Sequence, residues 1–323
     1  MSNEIGSMNT VVRPQETPGY SGLEPSSLRR RIAIAWAPWK HRPLGIIGGV
    51  VIVLAFSLAL LAPLLAPHDP NEFVGGRLEE PNSEFWFGTN TLGQDVLSRT
   101  IYGAQVSLSV ALSSTLVGVV LGTSLGVLSA YYGGWIDLIV QRVMEVLAAF
   151  PGLILVLMVI SALGKPSGAR EGNFFILSWD LRTLSAAIAL GLIYGVMRVI
   201  RSAVLKEREL LYVESAKVAG AGSLRIMFRH ILPNVFPYVI VTFSSIIGFI
   251  VLLEAGISFL GYGVSIGTPS WGLDLAGRNR DYFLDAPWVM IAPGIALTLT
   301  VMGFNFLGDT LRDILDPRLR GAR

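Results

Sequence analysis

Residues 44–66 read LGIIGGVVIVLAFSLALLAPLLA, with no charged side chain from Leu44 to Ala66. An α-helix rises about 1.5 Å per residue, so this run can cross the roughly 30 Å hydrocarbon core of a bilayer with some tilt. Similar runs follow. Val106 to Ala130 is charge-free. A third run starts after Glu145 and ends near Leu163, and Pro151 predicts a kink in it. A fourth spans Thr183 to Ile200 with Arg198 near its end. A fifth spans Val235 to Leu260 and contains Glu254. The sixth spans Pro287 to Leu307 and is interrupted by Pro293. Barrel strands would show about 10 residues of alternating polarity, and no segment alternates that way. The pattern predicts an all-α polytopic membrane protein with six transmembrane helices. The first span follows a long leader and exceeds a signal-peptide core, so it is expected to be retained.

Composition agrees. Hydrophobic residues make up 52% and charged residues 15% of 323 positions, and mean hydropathy is +0.58. Soluble domains carry about 25% charged residues. An ordinary soluble enzyme is therefore excluded. A net charge of +2 gives no sign of a nucleic-acid partner. The absence of cysteine excludes disulfides, thiolate zinc sites and cysteine nucleophiles. The three histidines, His41, His68 and His230, lie far apart in sequence, and no metal site is expected.

Arg and Lys positions orient the chain. They concentrate before the first span, between spans four and five, and after span six. The loop from Pro67 to Ala104 holds six acids (Asp69, Glu72, Glu79, Glu80, Glu84, Asp95) against Arg77 and Arg99. Both termini are thus expected in the cytoplasm. This divides the chain into a cytoplasmic N-terminal extension (1–43), a six-helix membrane domain (44–310) and a cytoplasmic tail (311–323). Residues 1 to about 28 are polar and proline-bearing, which predicts disorder. The stretch Arg29 to Arg42, with Trp36 and Trp39, fits an interfacial helix or a plain basic flank.

The loop between spans four and five, residues 204–233, is the most informative. From Glu209 it reads ELLYVESAKVAGAGSLRIMFRHILPNVFP to Pro237. A first helix to Ala219 carries the small residues Ser215, Ala216 and Ala219, which allow close backbone approach. Gly220 and Gly222 suit a helix C-cap, and Ser223 an N-cap. Leu224, Met227, Phe228 and Ile231 form one helical stripe, with Arg225 and Arg229 on another face. Pro233 and Pro237 are expected to break the helix at the membrane entry. Such a segment either lies on the bilayer or docks into a groove on a soluble partner.

Glu214-Ser215-Ala216, then Gly220, then Ile231-Leu232-Pro233 resembles the EAA motif of bacterial ABC-transporter permeases, with serine in place of the middle alanine. The stretch Phe87 to Arg99 (FGTNTLGQDVLSR) resembles the periplasmic signature of the dipeptide/oligopeptide/nickel permeases, where aspartate is commoner at position 90 and arginine at 94. Ala149-Phe150-Pro151, Ile257 to Gly263, Pro269 to Gly272 and Gly308 to Arg318 resemble the C-type subunit of that family. The resemblance runs from about Pro43 to Gly321. It implies the type I ABC importer permease architecture in a bacterial inner membrane. It also implies a B-type permease partner, two ABC ATPase subunits carrying ATP and Mg, and an extracytoplasmic solute-binding protein. This chain would bind no cofactor of its own. Glu214, Ser215, Ala216, Gly220, Ile231, Leu232 and Pro233 would couple to the ATPases.

The chain has no Gly-x-x-x-x-Gly-Lys-Ser/Thr phosphate loop. Energy for transport is therefore expected from partner ATPases or from an ion gradient. Asp95, Arg99, Glu254 and Trp271 are candidates for the outer loop and gate. Glu254 reads as a helix-packing residue or as part of the substrate path. Trp271 and Trp288 read first as interface anchors. The loop 67–104 borders a partner or caps the bundle, and Gln94 to Gln105 is expected to form a short interfacial helix. Peptides lead as substrate, with a nickel chelate, glutathione or a sugar as alternatives. An ion-coupled carrier, an intramembrane hydrolase and a scaffold are weaker readings, because no histidine or paired aspartates stand inside the spans.

Overall fold

The computed structural model describes residues 42–163, 179–265 and 267–315. Among them the order is α1 (Pro43–Leu60), α2 (Ala62–Leu65), α3 (Val96–Tyr132), α4 (Gly134–Ala148), α5 (Gly152–Leu163), α6 (Trp179–Glu207), α7 (Leu211–Val218), α8 (Ser223–Arg225), a π-helical turn (Ile226–Ile231), α9 (Leu232–Phe259), α10 (Trp271–Asp274), α11 (Arg278–Asp281) and α12 (Trp288–Leu315). Five helices are long and apolar enough to cross a membrane, and six crossings result if the bent pair α4–α5 counts as one. The described residues contain no β-strand.

Glycines set the helix directions. Gly118, Gly122 and Gly126 form a stripe on α3, and a Cβ on each would lie 2.9, 2.7 and 2.9 Å from Leu192, Val196 and Met197 of α6. Spacing of four places them on one face, the small-residue pattern that lets two helices approach closely. Residue numbers rise together along this contact, so α3 and α6 run parallel. The chain must return across the bundle between them, and α4–α5 supply that return. Gly45 lies against Thr310, and Gly48 against the Gly303 carbonyl, so α1 and α12 run antiparallel. Arg42 pairs with Asp313 at 2.5 Å. The start of α1, the end of α3, residues 207–237 and the end of α12 therefore share one end of the bundle, here called basal. The loops 66–95 and 260–287 share the opposite, apical end.

The two largest apolar cores among the described residues lie towards opposite ends of the bundle. One contains Leu108, Ile160, Ile188, Ile250 and Trp271. The other contains Val127, Val196, Ile200, Val213, Ile226, Met227, Ile231 and Val235, so the basal loop supplies part of its own anchor. Large apolar residues also face outward, among them Val50, Val53 and Leu54 of α1 and Trp135 and Val146 of α4. That inversion suits a lipid or subunit surface.

Several expected boundaries move. The first span breaks at Leu61, where Pro63 cannot supply an amide to the helix ladder. The segment Gln94 to Gln105 is no separate interfacial helix. It opens the 37-residue α3, capped by the Asp95 carboxylate, which accepts from the Ser98 amide at 2.9 Å and the Leu97 amide at 3.3 Å. Residues 134–148, expected as a turn and the start of span three, form amphipathic α4. The kink expected at Pro151 is present, as an 88° bend between α4 and α5. Pro293 sits inside a continuous α12. That helix runs on to Leu315, into what was expected to be tail. Residues 1–41 and 316–323 lie outside the described residues, as do the readings made for them.

Candidate functional site

The basal loop begins where α6 ends at Glu207. Helix α7 closes in a double hydrogen-bonded turn: Ala221 N–H donates to Ala216 O and Gly220 N–H to Lys217 O, both 3.0 Å. This Schellman geometry requires a left-handed residue after the cap, and Gly220 has φ 78°. Glu214, Ser215 and Gly220 are exposed, and so are the apolar Leu211, Val218, Leu224 and Phe228. Gly220, Gly222, Ser223, Leu224 and Arg225 border an open concavity of about 360 Å³.

Three expectations for this loop are corrected. The stripe Leu224–Met227–Phe228–Ile231 does not face one way. Met227 and Ile231 are buried together with Ile226, whereas Leu224 and Phe228 point outward. The cause is the π turn, in which Leu232 N–H donates to Met227 O five residues back, shifting the phase of the helix. Nor do Pro233 and Pro237 break the chain, which is helical from Ser223 to Phe259. The π turn absorbs the amide missing at Pro233. Asn234 Nδ2 donates to His230 O at 2.9 Å, satisfying a carbonyl in that turn. Gly222 rather than Ser223 occupies the N-cap position.

The loop is pinned to the bundle by polar contacts that the sequence did not single out. Tyr212 Oη donates to Glu207 Oε2 at 2.7 Å and accepts from Asn234 Nδ2 at 3.1 Å. Burial, followed by the hydrogen bond to Glu207, holds the Tyr212 phenol above the ordinary tyrosine pKa. Arg208 Nη1 donates to Ala130 O at 2.5 Å. Outside the loop itself, Asp137 of α4 takes a two-pronged contact from Arg201 of α6, at 2.8 and 2.6 Å, which joins those two helices. The spacing of these residues gives no periodic signal, which is why sequence reasoning missed them.

At the apical end Asp95, Arg99 and Trp271 come together. Arg99 Nε and Nη2 donate to Asp274 Oδ1 at 2.8 and 2.6 Å, and Nη1 donates to Pro70 O at 3.0 Å. Asn279 Nδ2 donates to Asp274 O at 3.0 Å and its Oδ1 accepts from Thr91 at 2.9 Å. Both partners of the ion pair are buried. Burial pushes the Asp274 carboxyl above the ordinary carboxylate range, and the Arg99 charge pulls it back only in part.

Trp271 is no interface anchor. It is 2% exposed and donates Nε1–H to Thr100 O at 2.9 Å. It fits because Gly103 leaves its ring room, and a Cβ on Gly272 would lie 2.4 Å from Ala255 Cα. Glu254, read as a helix-packing residue or as part of the substrate path, faces the interior of the bundle. It is fully buried beside Ser107, and Oε1 accepts from Ser258 Oγ at 2.7 Å. Oε2 has no hydrogen-bond partner among the described residues. The candidate residues thus form two groups at opposite ends of the bundle.

Positions 90 and 94, where the chain departs from the resembled pattern, prove to be partners. Asn90 Nδ2 donates to Gln94 Oε1 at 2.9 Å in a buried setting. Gln94→Arg alone should therefore destabilise the purified protein by about 2–4 kcal/mol through an unpaired buried charge. Asn90→Asp in the same chain should recover most of that loss in thermal unfolding.

Comparison with known proteins agrees with this arrangement. Residues 118–321 match the family "binding-protein-dependent transport system inner membrane component". Residues 31–81 match the N-terminal transmembrane domain of oligopeptide transport permease C. The chain is 38% identical over 287 residues to the glutathione transport system permease protein GsiD of Pectobacterium atrosepticum, covering 88% of this chain and 90% of the relative. It is 35% identical over 294 residues to the dipeptide transport system permease protein DppC of Alkalihalophilus pseudofirmus, covering 88% and 92%. It is 34% identical over 301 residues to GsiD of Escherichia coli, covering 93% and 94%. The bundle and these matches agree that the chain belongs to the family of binding-protein-dependent transport system inner membrane components, as a multi-pass transport subunit of the inner membrane.

Proposed function

We propose that this subunit forms, with a B-type permease, the membrane path of an ATP-driven importer. Two partner ATPases hydrolyse ATP, and an extracytoplasmic binding protein delivers peptides. In this reading the basal end and both termini are cytoplasmic. The observation that carries the proposal is the form of the basal loop. Its inner residues Val213, Ile226, Met227 and Ile231 are locked in the core, while Leu211, Val218, Leu224 and Phe228 stand exposed beside the Gly220 concavity. An apolar helix face on a rigid base is what a groove on a soluble partner can seize. Movement of that base would tilt α6 and α9 and switch the path between inward-open and outward-open states.

Relatives named for dipeptide and for glutathione transport favour a short peptide as cargo, with glutathione as the second reading. The test is uptake into vesicles holding the two permeases and the ATPases, with the binding protein outside. ATP-dependent uptake of labelled di- or tripeptide supports the proposal. Uptake driven by an ion gradient without the ATPases overturns it.

A further inference from the structure

Tyr212 belongs to no motif discussed above, yet it stands where three elements meet. Its ring packs against the basal core. Its hydroxyl uses both hydrogen-bonding functions on different helices, donating to Glu207 in the last turn of α6 and accepting from Asn234 in the first turn of α9. Asn234 carries the connection on to the His230 carbonyl in the π turn. Helix α7 has only Val213 fully buried, and its connections to α6 and α8 are short turns containing Leu210 and Gly220–Gly222. Each covalent turn links α7 to one neighbouring element only. A hydrogen-bonded hub beside the buried plug transmits a pull to two spans at once.

We propose that Tyr212 is a positioning residue for energy coupling: through Glu207 and Asn234 it makes α6 and α9 move with α7. The inference rests on the proposed function and assigns the transmission to one hydroxyl. Tyr212→Phe keeps the ring and its packing but removes both bonds. Glu207→Gln keeps an acceptor for the Tyr212 hydroxyl, whereas Glu207→Leu removes it.

The experiment uses the complete importer in vesicles and measures ATP hydrolysed per labelled peptide taken up, normalised to assembled complex. In Tyr212→Phe and Glu207→Leu the ratio should rise at least about fivefold, the scale expected when a pair of hydrogen bonds coupling two sites is lost. Glu207→Gln should stay near the wild-type ratio. A purely structural role would lower the amount of complex and leave the ratio unmoved, and that result overturns the proposal. An unchanged ratio in Tyr212→Phe with wild-type uptake intact removes the hub alone. Failure of the wild-type complex to transport with ATP removes the functional reading itself.

Discussion

Gly220→Asp should leave ATP hydrolysis running while peptide uptake falls at least about tenfold, within the range of a lost site-to-site coupling. The backbone at Gly220 sits at φ 78°, and a Cβ there meets nothing within 4 Å. The cost to the fold is then only the left-handed strain of a non-glycine residue, about 1 kcal/mol, which aspartate tolerates better than most residues. Thermal unfolding of the variant should shift by only about 2–4 °C. What does change is the surface: a carboxylate stands beside the exposed Leu224 and at the mouth of the basal concavity. Glu214→Lys should act alike, since Glu214 is exposed and makes no ion pair among the described residues. Exposed substitutions without partners usually alter stability by less than about 0.5 kcal/mol. A large transport defect at either position must therefore arise through another polypeptide. Normal transport by both variants in vesicles would show that this surface carries no coupling.

Arg99→Ala should be the most damaging single change to stability, at about 3–5 kcal/mol, because it strands a buried carboxylate. Arg99 holds Asp274 with two donors and Pro70 with a third, so it ties the apical loop, α3 and α10 into one junction. Replacing the pair is a different operation from breaking it. Arg99→Met with Asp274→Leu should recover most of the loss, as apolar isosteres of buried pairs commonly do. The sign of the pH effect follows from burial, which raises the Asp274 pKa above its ordinary 3.8. Without Arg99 the native state favours the protonated carboxyl further still. The folded variant then binds more protons than the unfolded chain, and its deficit grows as pH rises past the ordinary carboxylate value. Melting temperatures of the single and double variants across pH check this. A single variant as stable as the wild type at neutral pH would show that the ion pair does not hold the junction.

The spans were legible because bilayer thickness imposes long charge-free runs, and Leu44–Ala66 needs nothing else to be read. Their ends were not, because a helix continues beyond the lipid wherever its charges find partners. The second span was expected from Val106, yet α3 begins at Val96, and the Asp274 partner lets it carry Arg99. Pro151 marked the place of the bend between α4 and α5, but not its 88° size. The basal loop was legible in outline through Gly220 and Ile231-Leu232-Pro233, but its outward face was not. Helical spacing of 3.6 residues put Phe228 with Met227 and Ile231, and one π turn separates them. Trp271 was misplaced because hydropathy ranks tryptophan as interfacial, whereas its burial here depends on the room that Gly103 of α3 leaves for its ring. Glu254, read as a helix-packing residue or part of the substrate path, is buried beside Ser107 of α3 and Ser258 one turn further on.

The central claim is that the exposed face of α7 seats in a separate ATP-hydrolysing subunit on the cytoplasmic side. The chain contains no cysteine, so a single Val218→Cys substitution gives a unique thiol on that face. A short bifunctional crosslinker applied to the assembled importer in inside-out vesicles should join this position to an ATPase subunit, with a yield that changes when ATP is bound. Labelling of the thiol only from the outer face of intact cells, or crosslinking to no ATPase subunit in the assembled complex, would contradict the account.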